Sequence, residues 1–167
     1  MAQTPAKPAL RPMLPGDAPM LAAIFRASIE ILAEEDYSEE QLRAWMAAGE
    51  DVAAFGKALA ADLTLVATLA GGPVAFASLR GGDKLQMLYV HPSLARQGLG
   101  SLLVDALEKL AEARGAKKLA GDISDTALPL FQKRGYTQQR RNTVPLGDVW
   151  LGTTTMTKAL GATDAQP

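Results

Sequence analysis

The chain has 167 residues, 48% of them hydrophobic and 21% charged, which fits a globular protein able to bury one substantial core. Seventeen basic residues against eighteen acidic ones leave a formal charge of −1, so the charge balance gives no reason to expect a nucleic-acid partner. The absence of cysteine and the single histidine, His91, exclude disulfides, thiolate zinc sites, a cysteine nucleophile and a His-rich metal cluster, and no bound metal is expected.

In chain order, residues 1–8 and 161–167 read as flexible ends, since their Pro, Gly, Thr and Gln content offers nothing to bury. The opening residues lack the apolar stretch of a signal peptide, and no apolar run approaches the roughly 20 residues that span a bilayer. A cytoplasmic protein without membrane association is expected. Residues 9–160 contain no linker or internal repeat and read as one domain. Ala9–Met13 suits a short strand, and Asp17, followed by Pro19, suits a helix N-cap. Met20, Leu21, Ile24, Phe25, Ser28, Ile31 and Leu32 then fall at helical spacing. A second helix starts at Ser38, whose spacing to Gln41 makes a capping box, with Leu42, Trp45 and Met46 on its buried stripe. Asp51–Ala61 is a third helical piece.

The period then changes. Leu63–Leu69 and Val74–Leu79 read as strands joined at Gly71-Gly72, and Leu85–Val90 as a third strand after a Gly81-Gly82-Asp83 turn. Past the Pro92–Gly98 loop, Leu99, Leu102, Leu103, Ala106 and Leu110 mark an amphipathic helix closed near Gly115. Lys118–Gly121 is a short strand and Thr126–Arg134 a short helix, followed by strands near Tyr136–Val144 and Val149–Lys158. A helix between the strands at 85–90 and 118–121 implies a parallel crossover, whereas the hairpins imply antiparallel pairs.

The loop ending in Gly98-Leu99-Gly100-Ser101 joins a strand to a strong helix. Its small residues permit close backbone approach, and the first N–H groups of the helix lack internal partners. With the helix dipole and Arg96 beside them, these groups form an anion site suited to a phosphate; the same glycines equally serve a tight turn into the helix. A P-loop is excluded because no Lys follows the glycines, and a dinucleotide fingerprint because Leu103 stands where its third glycine belongs.

Leu88-Tyr89-Val90-His91-Pro92, Ala95-Arg96-Gln97-Gly98-Leu99-Gly100-Ser101 and Leu102-Leu103 together resemble motif A of the GNAT acetyltransferases. Ala127, Phe131, Gly135 and Tyr136 are spaced as in a second signature of that superfamily, and the likeness in element order runs from about Ala9 to Leu160. The stretches Arg140–Thr143 and Val149–Leu151 look like those of a bacterial-type branch of uncharacterised members. The resemblance implies an α/β (α+β) GNAT acyl-CoA N-acyltransferase fold: a mixed, mostly antiparallel sheet with a splayed parallel pair and flanking helices. It also implies acetyl-CoA as cosubstrate and a small-molecule or peptide amine as acceptor; homodimers are common among relatives.

By the same resemblance, the main chain of Leu88, Tyr89 and Val90 would pair with the pantetheine arm, and the N–H groups of Arg96, Gln97, Gly98, Leu99, Gly100 and Ser101 would hold the pyrophosphate. Ser124 would bond the pantetheine, Phe131 would pack near the sulfur, and the Leu88 amide would polarise the acetyl carbonyl. The motif departs from the family in two places. Phe131 replaces the tyrosine that often protonates the thiolate, and Gln86 stands where some members carry a catalytic glutamate; neither transfers a proton. Tyr136 and Tyr89 are candidate acids, either of which can equally be a packed aromatic. Glu34-Glu35-Asp36 is a candidate base or a solvated acidic loop. His91, Arg140 and Arg141 are expected at the surface, Trp45 in the core, and Trp150 in the core or on the acceptor wall. An active transferase, a non-catalytic acetyl-CoA-binding module and a ligand-free scaffold are the readings open to the sequence.

Overall fold

The computed structural model describes residues 7–161, so most of both expected flexible ends lies outside the described residues. Twelve principal elements follow one another: β1 (Ala9–Pro12), α1 (Ala18–Leu32), α2 (Glu39–Met46), α3 (Val52–Ala61), β2 (Leu63–Leu69), β3 (Gly72–Arg80), β4 (Lys84–Val90), α4 (Leu99–Ala113), β5 (Lys118–Ser124), α5 (Leu128–Lys133), β6 (Thr137–Leu146) and β7 (Val149–Ala159). The order matches the sequence expectation. The main boundary difference is β5, which runs three residues past Gly121 because Asp122, Ile123 and Ser124 continue to pair with β7. No helix among the described residues is long and apolar enough to cross a membrane.

The strands form one sheet in the order β1-β2-β3-β4-β5-β7-β6. Every neighbouring pair is antiparallel except β4 and β5, where α4 provides the crossover. Because successive strand residues face opposite sides, β3 feeds two cores. Phe76 packs with Phe25, Phe55 and Leu59 beneath α1 and α3, while Ala75, Ala77 and Leu79 pack beneath α4 with Leu103, Leu107 and Leu119. Each fully buried leucine or phenylalanine among them contributes about 1.5–3 kcal/mol relative to exposure.

Local chemistry explains where the elements begin. Ser38 Oγ accepts the Gln41 N–H and Gln41 Oε1 accepts the Ser38 N–H, completing the expected capping box of α2. Asp17 does not cap α1 with its side chain. Its carboxylate instead accepts the Leu14 N–H at 2.8 Å and takes two bonds from Arg11, at 2.7 and 2.9 Å. On α1 the buried row is Leu21, Phe25 and Ile29, one turn apart, with Ile24 and Ser28 beside it. Met20 and Ile31, expected on that stripe, face solvent. The β2–β3 turn sits one residue earlier than Gly71-Gly72: Leu69 pairs with Gly72, and Ala70 and Gly71 carry the positive φ angles that a tight hairpin requires.

Candidate active site

The sheet forks at its centre. β4 and β5 pair only at Lys84 with Ala120 and Leu85 with Gly121. Gly121 permits the close approach there, because a Cβ would stand 3.2 Å from Leu85 Cβ and 3.3 Å from its carbonyl oxygen. Beyond this point β4 pairs only with β3, and β5 only with β7. The facing edges are therefore open to a ligand that supplies its own hydrogen bonds. At the same height Ser78 faces Met87 and Leu79 faces Leu85, so Gln86 is an extra, bulged residue of β4.

Two contiguous cavities meet at the fork. One, of about 150 Å³, lies between the parting strands and is lined by Gln86, Asp122, Ser124, Phe131, Trp45 and Leu151, among others. The other, of about 1070 Å³, runs along Leu88, Tyr89 and Val90 to Arg96, Gly98, Leu99, Gly100 and Ser101 at the start of α4. Trp45, Leu88, Tyr89, Ser124 and Ala127 line both.

The N-terminus of α4 has no side-chain cap, and the N–H groups of residues 96–101 have no partner among the described residues. Gly98, the N-cap, is left-handed at φ +86°, a conformation that favours glycine. Arg96 is also left-handed, at φ +63°, and a non-glycine residue held so stores about 1–3 kcal/mol of strain. Such strain concentrates where a backbone is shaped for a ligand. Unpartnered amides, the positive helix end and the Arg96 guanidinium thus converge on one open cleft, as an anionic ligand requires.

The GNAT acetyltransferase domain family matches residues 33–160. This chain belongs to the GNAT acetyltransferases. It is 32% identical over 141 residues to the uncharacterized N-acetyltransferase YafP of Escherichia coli K12, covering 84% of this chain and 89% of that protein. It is 54% identical to a GCN5-related N-acetyltransferase from Rhodopseudomonas palustris, named Aminotransferase, Class-II, with a TM-score of 0.91 over 96% of this chain and all of the other. The PaiA N-acetyltransferase of Thermoplasma acidophilum, solved in complex with coenzyme A, shares the fold at 17% identity and a TM-score of 0.76, covering 92% and 99% of the two chains. Acetyl-CoA is the cosubstrate of this family.

Within this GNAT domain the cofactor-side candidates line the large cavity except Phe131, which lines the small one, and Gln97, which is exposed and lines neither. Ser124 ends β5, where its Oγ accepts the Ala127 N–H. Phe131 is buried and packs edge-on against Tyr136, ring centroids 5.0 Å apart.

Tyr136, a candidate acid or a packed aromatic on the sequence, lines neither cavity. Its hydroxyl donates to Glu108 Oε2 at 2.7 Å, while Lys158 and Arg134 bond the same carboxylate. Burial first, and then the bond to Glu108, push its pKa far above the ordinary tyrosine value. This phenol holds its proton as a donor to Glu108 and belongs to the packing behind α4. The Tyr89 side chain turns into the α1–α2 layer against Phe25 and Phe76, with Trp45 Nε1 donating to its hydroxyl at 3.2 Å. Burial raises its pKa as well. Trp45, expected in the core, packs against it and also forms a shared wall of both cavities.

Trp150 is 60% exposed on the β6–β7 hairpin and lines neither cavity. Asp36 accepts from Thr126, Arg141 pairs with Asp125 at 2.5 Å, and His91 caps the Pro92–Leu94 turn by accepting the Ser93 N–H. Two residues escape sequence reasoning. Tyr37 lies in the loop between α1 and α2, donates to the Gly152 carbonyl and accepts the Asp125 N–H, tying that loop to both β5 and β7. Asp122 lines the fork cavity; a lone aspartate in a short β-run carries no signal of this.

Proposed function

We propose that the chain transfers the acetyl group of acetyl-CoA to a primary amine of a small molecule or peptide, by direct attack, in the cytoplasm. The observation that carries this reading is the opening of the unpartnered α4 amides and the unpaired edge of β4 into one cleft. The N–H groups of Arg96, Gly98, Leu99, Gly100 and Ser101 receive the pyrophosphate, with Gln97 contributing only main chain. Leu88, Tyr89 and Val90 receive the pantetheine along β4, and Ser124 bonds it from β5. Phe131 shields the sulfur from water. The Leu88 amide draws electron density from the acetyl oxygen as charge develops there. When bound, acetyl-CoA supplies an activated acyl carbon and a thiolate leaving group. All these residues belong to one chain, so the reading does not depend on a homodimer.

The test is thiol release from acetyl-CoA across polyamines, aminoglycosides, amino acids and peptides, with the product checked by mass. At least one class should release thiol in step with acetylated amine. Acetyl-CoA binding without thiol release from any class would favour the non-catalytic binding module, which the buried, hydroxyl-free Phe131 also suits.

A further inference from the structure

The small cavity at the fork is lined by Gln86, whose Oε1 is buried without a partner, and by Asp122, which has one carboxylate oxygen free of protein donors among the described residues. Leu85 and Gly121 are the last paired residues of the parallel strands, so Gln86 and Asp122 are the first residue past the fork on each. Leu119 and Ile123 pack beneath α4, so alternation along β5 places Asp122 on the opposite face. Gln86 is the bulged residue of β4, outside that alternation, and it lines the same cavity as Asp122. Gln86 Oε1 is buried without a partner, a state that costs about 1–3 kcal/mol unless a ligand relieves it. Asp122 Oδ1 ends a directed relay. Arg140 Nε donates to Asn142 Oδ1 at 3.1 Å, Asn142 Nδ2 to Thr155 Oγ1 at 2.8 Å, and Thr155 Oγ1 to Asp122 Oδ1 at 2.6 Å. Such a chain polarises toward its anionic end and fixes the carboxylate's orientation. Asp122 Oδ2 has no hydrogen bond among the described residues, and the side chain is open to solvent.

We propose that Asp122 is the general base of the acceptor site and that Gln86 Oε1 is a second acceptor for the same ammonium group. This rests on the acetyl transfer proposed above. The ammonium gives one proton to Asp122 Oδ2, and the freed nitrogen pair forms the C–N bond to the acetyl carbon. The C–S bond breaks, and the thiolate takes the second proton that the nitrogen sheds as the amide forms. Asp122 then passes its proton to water, so one proton is released per turnover. Asp125 is paired with Arg141, and Glu108, on α4, is held by Lys158 and Arg134; neither these nor Glu34, Glu35 and Asp36 of the α1–α2 loop line the fork cavity. The charged groups around Asp122 are Arg140 through the relay, Lys84, which pairs with Ala120 two residues before it on β5, and the Asp125–Arg141 pair beyond β5. The walls from α2 and β4, Trp45 and Tyr89, are neutral.

Asp122→Asn keeps an oxygen for Thr155 and removes the base. It should lower kcat/KM for the best amine at least about 100-fold at neutral pH, with acetyl-CoA affinity unchanged. The deficit should narrow as the pH rises toward the amine's own pKa, a recovery that a merely structural residue would not give. Gln86→Leu should raise KM for the amine and leave the shape of the pH profile intact. A second readout needs no turnover: n-butylammonium titrated into the protein, with and without coenzyme A, followed by NMR. Saturable binding in the wild type, weakened at least about tenfold in Asp122→Asn, supports the proposal. No binding in the wild type, equal binding in the variant, or wild-type kcat/KM in the variant overturns it. Failure of the wild type to bind acetyl-CoA would instead strike the proposed function, and the cofactor-free titration still decides the role of Asp122.

Discussion

The Tyr136 phenol is held on several sides: Glu108 accepts its hydrogen bond, Lys158 lies 5.6 Å from its ring centre, and Phe131 packs against its edge. Replacing it with phenylalanine should cost about 1 kcal/mol in urea unfolding, because Glu108 keeps Lys158 and Arg134. Acetyl transfer should continue at the wild-type rate; a severalfold loss of turnover at that modest cost would restore Tyr136 to the chemistry. The sequence shows Tyr136 beside the right motif but not which way its ring turns, since that is set by a carboxylate 28 positions away. Arg96 and Gly98 are legible for the opposite reason. A helix start leaves its amides bare whatever the rest of the fold does, and glycine there marks a left-handed turn. Asp122 is illegible because its place in the fork cavity depends on where β4 and β5 part, which appears only once the chain has folded.

Among elements, the corner between β1 and α1 is closed by the Arg11–Asp17 pair. The bidentate guanidinium foremost, and then the Leu14 N–H, hold the Asp17 carboxyl below its ordinary value of 3.8, against the opposing effect of burial. A carboxyl with a depressed folded pKa binds fewer protons folded than unfolded. Its stabilisation is therefore complete above 3.8 and drains away as the pH falls through the lower folded value. Asp17→Asn should melt below the wild type at pH 7, and the gap should narrow as the pH is taken progressively below 3.8. A gap of constant size would mean that charge plays no part. The existence and order of the elements follow from periodicity and turn residues, and the Ser38–Gln41 box is local enough to be read directly. The α1 stripe misplaces Met20 and Ile31 because either choice gives a helical repeat. Only contact with Phe55 and Phe76 selects the row of Leu21, Phe25 and Ile29.

At the scale of the whole molecule, two cores lie on opposite faces of one sheet, and the site occupies the place where that sheet cannot close. The crossover through α4 forces β4 and β5 to be parallel, Gly121 lets them touch, and their divergence opens both cavities. Tyr37 and Asp36 bind the α1–α2 loop to the far side of the fork, so that side has a fixed wall. The parallel crossover is readable in the sequence, whereas the position of β7 between β5 and β6 depends on long-range pairing that local patterns do not encode. The central claim is that the bare amides at the start of α4 grip a diphosphate. Calorimetric titration of coenzyme A into the wild type and a folded Gly98→Asp variant tests it most directly. One site per chain in the wild type, abolished by a carboxylate placed against the phosphates, is the predicted result. Equal affinity in the two proteins would contradict it.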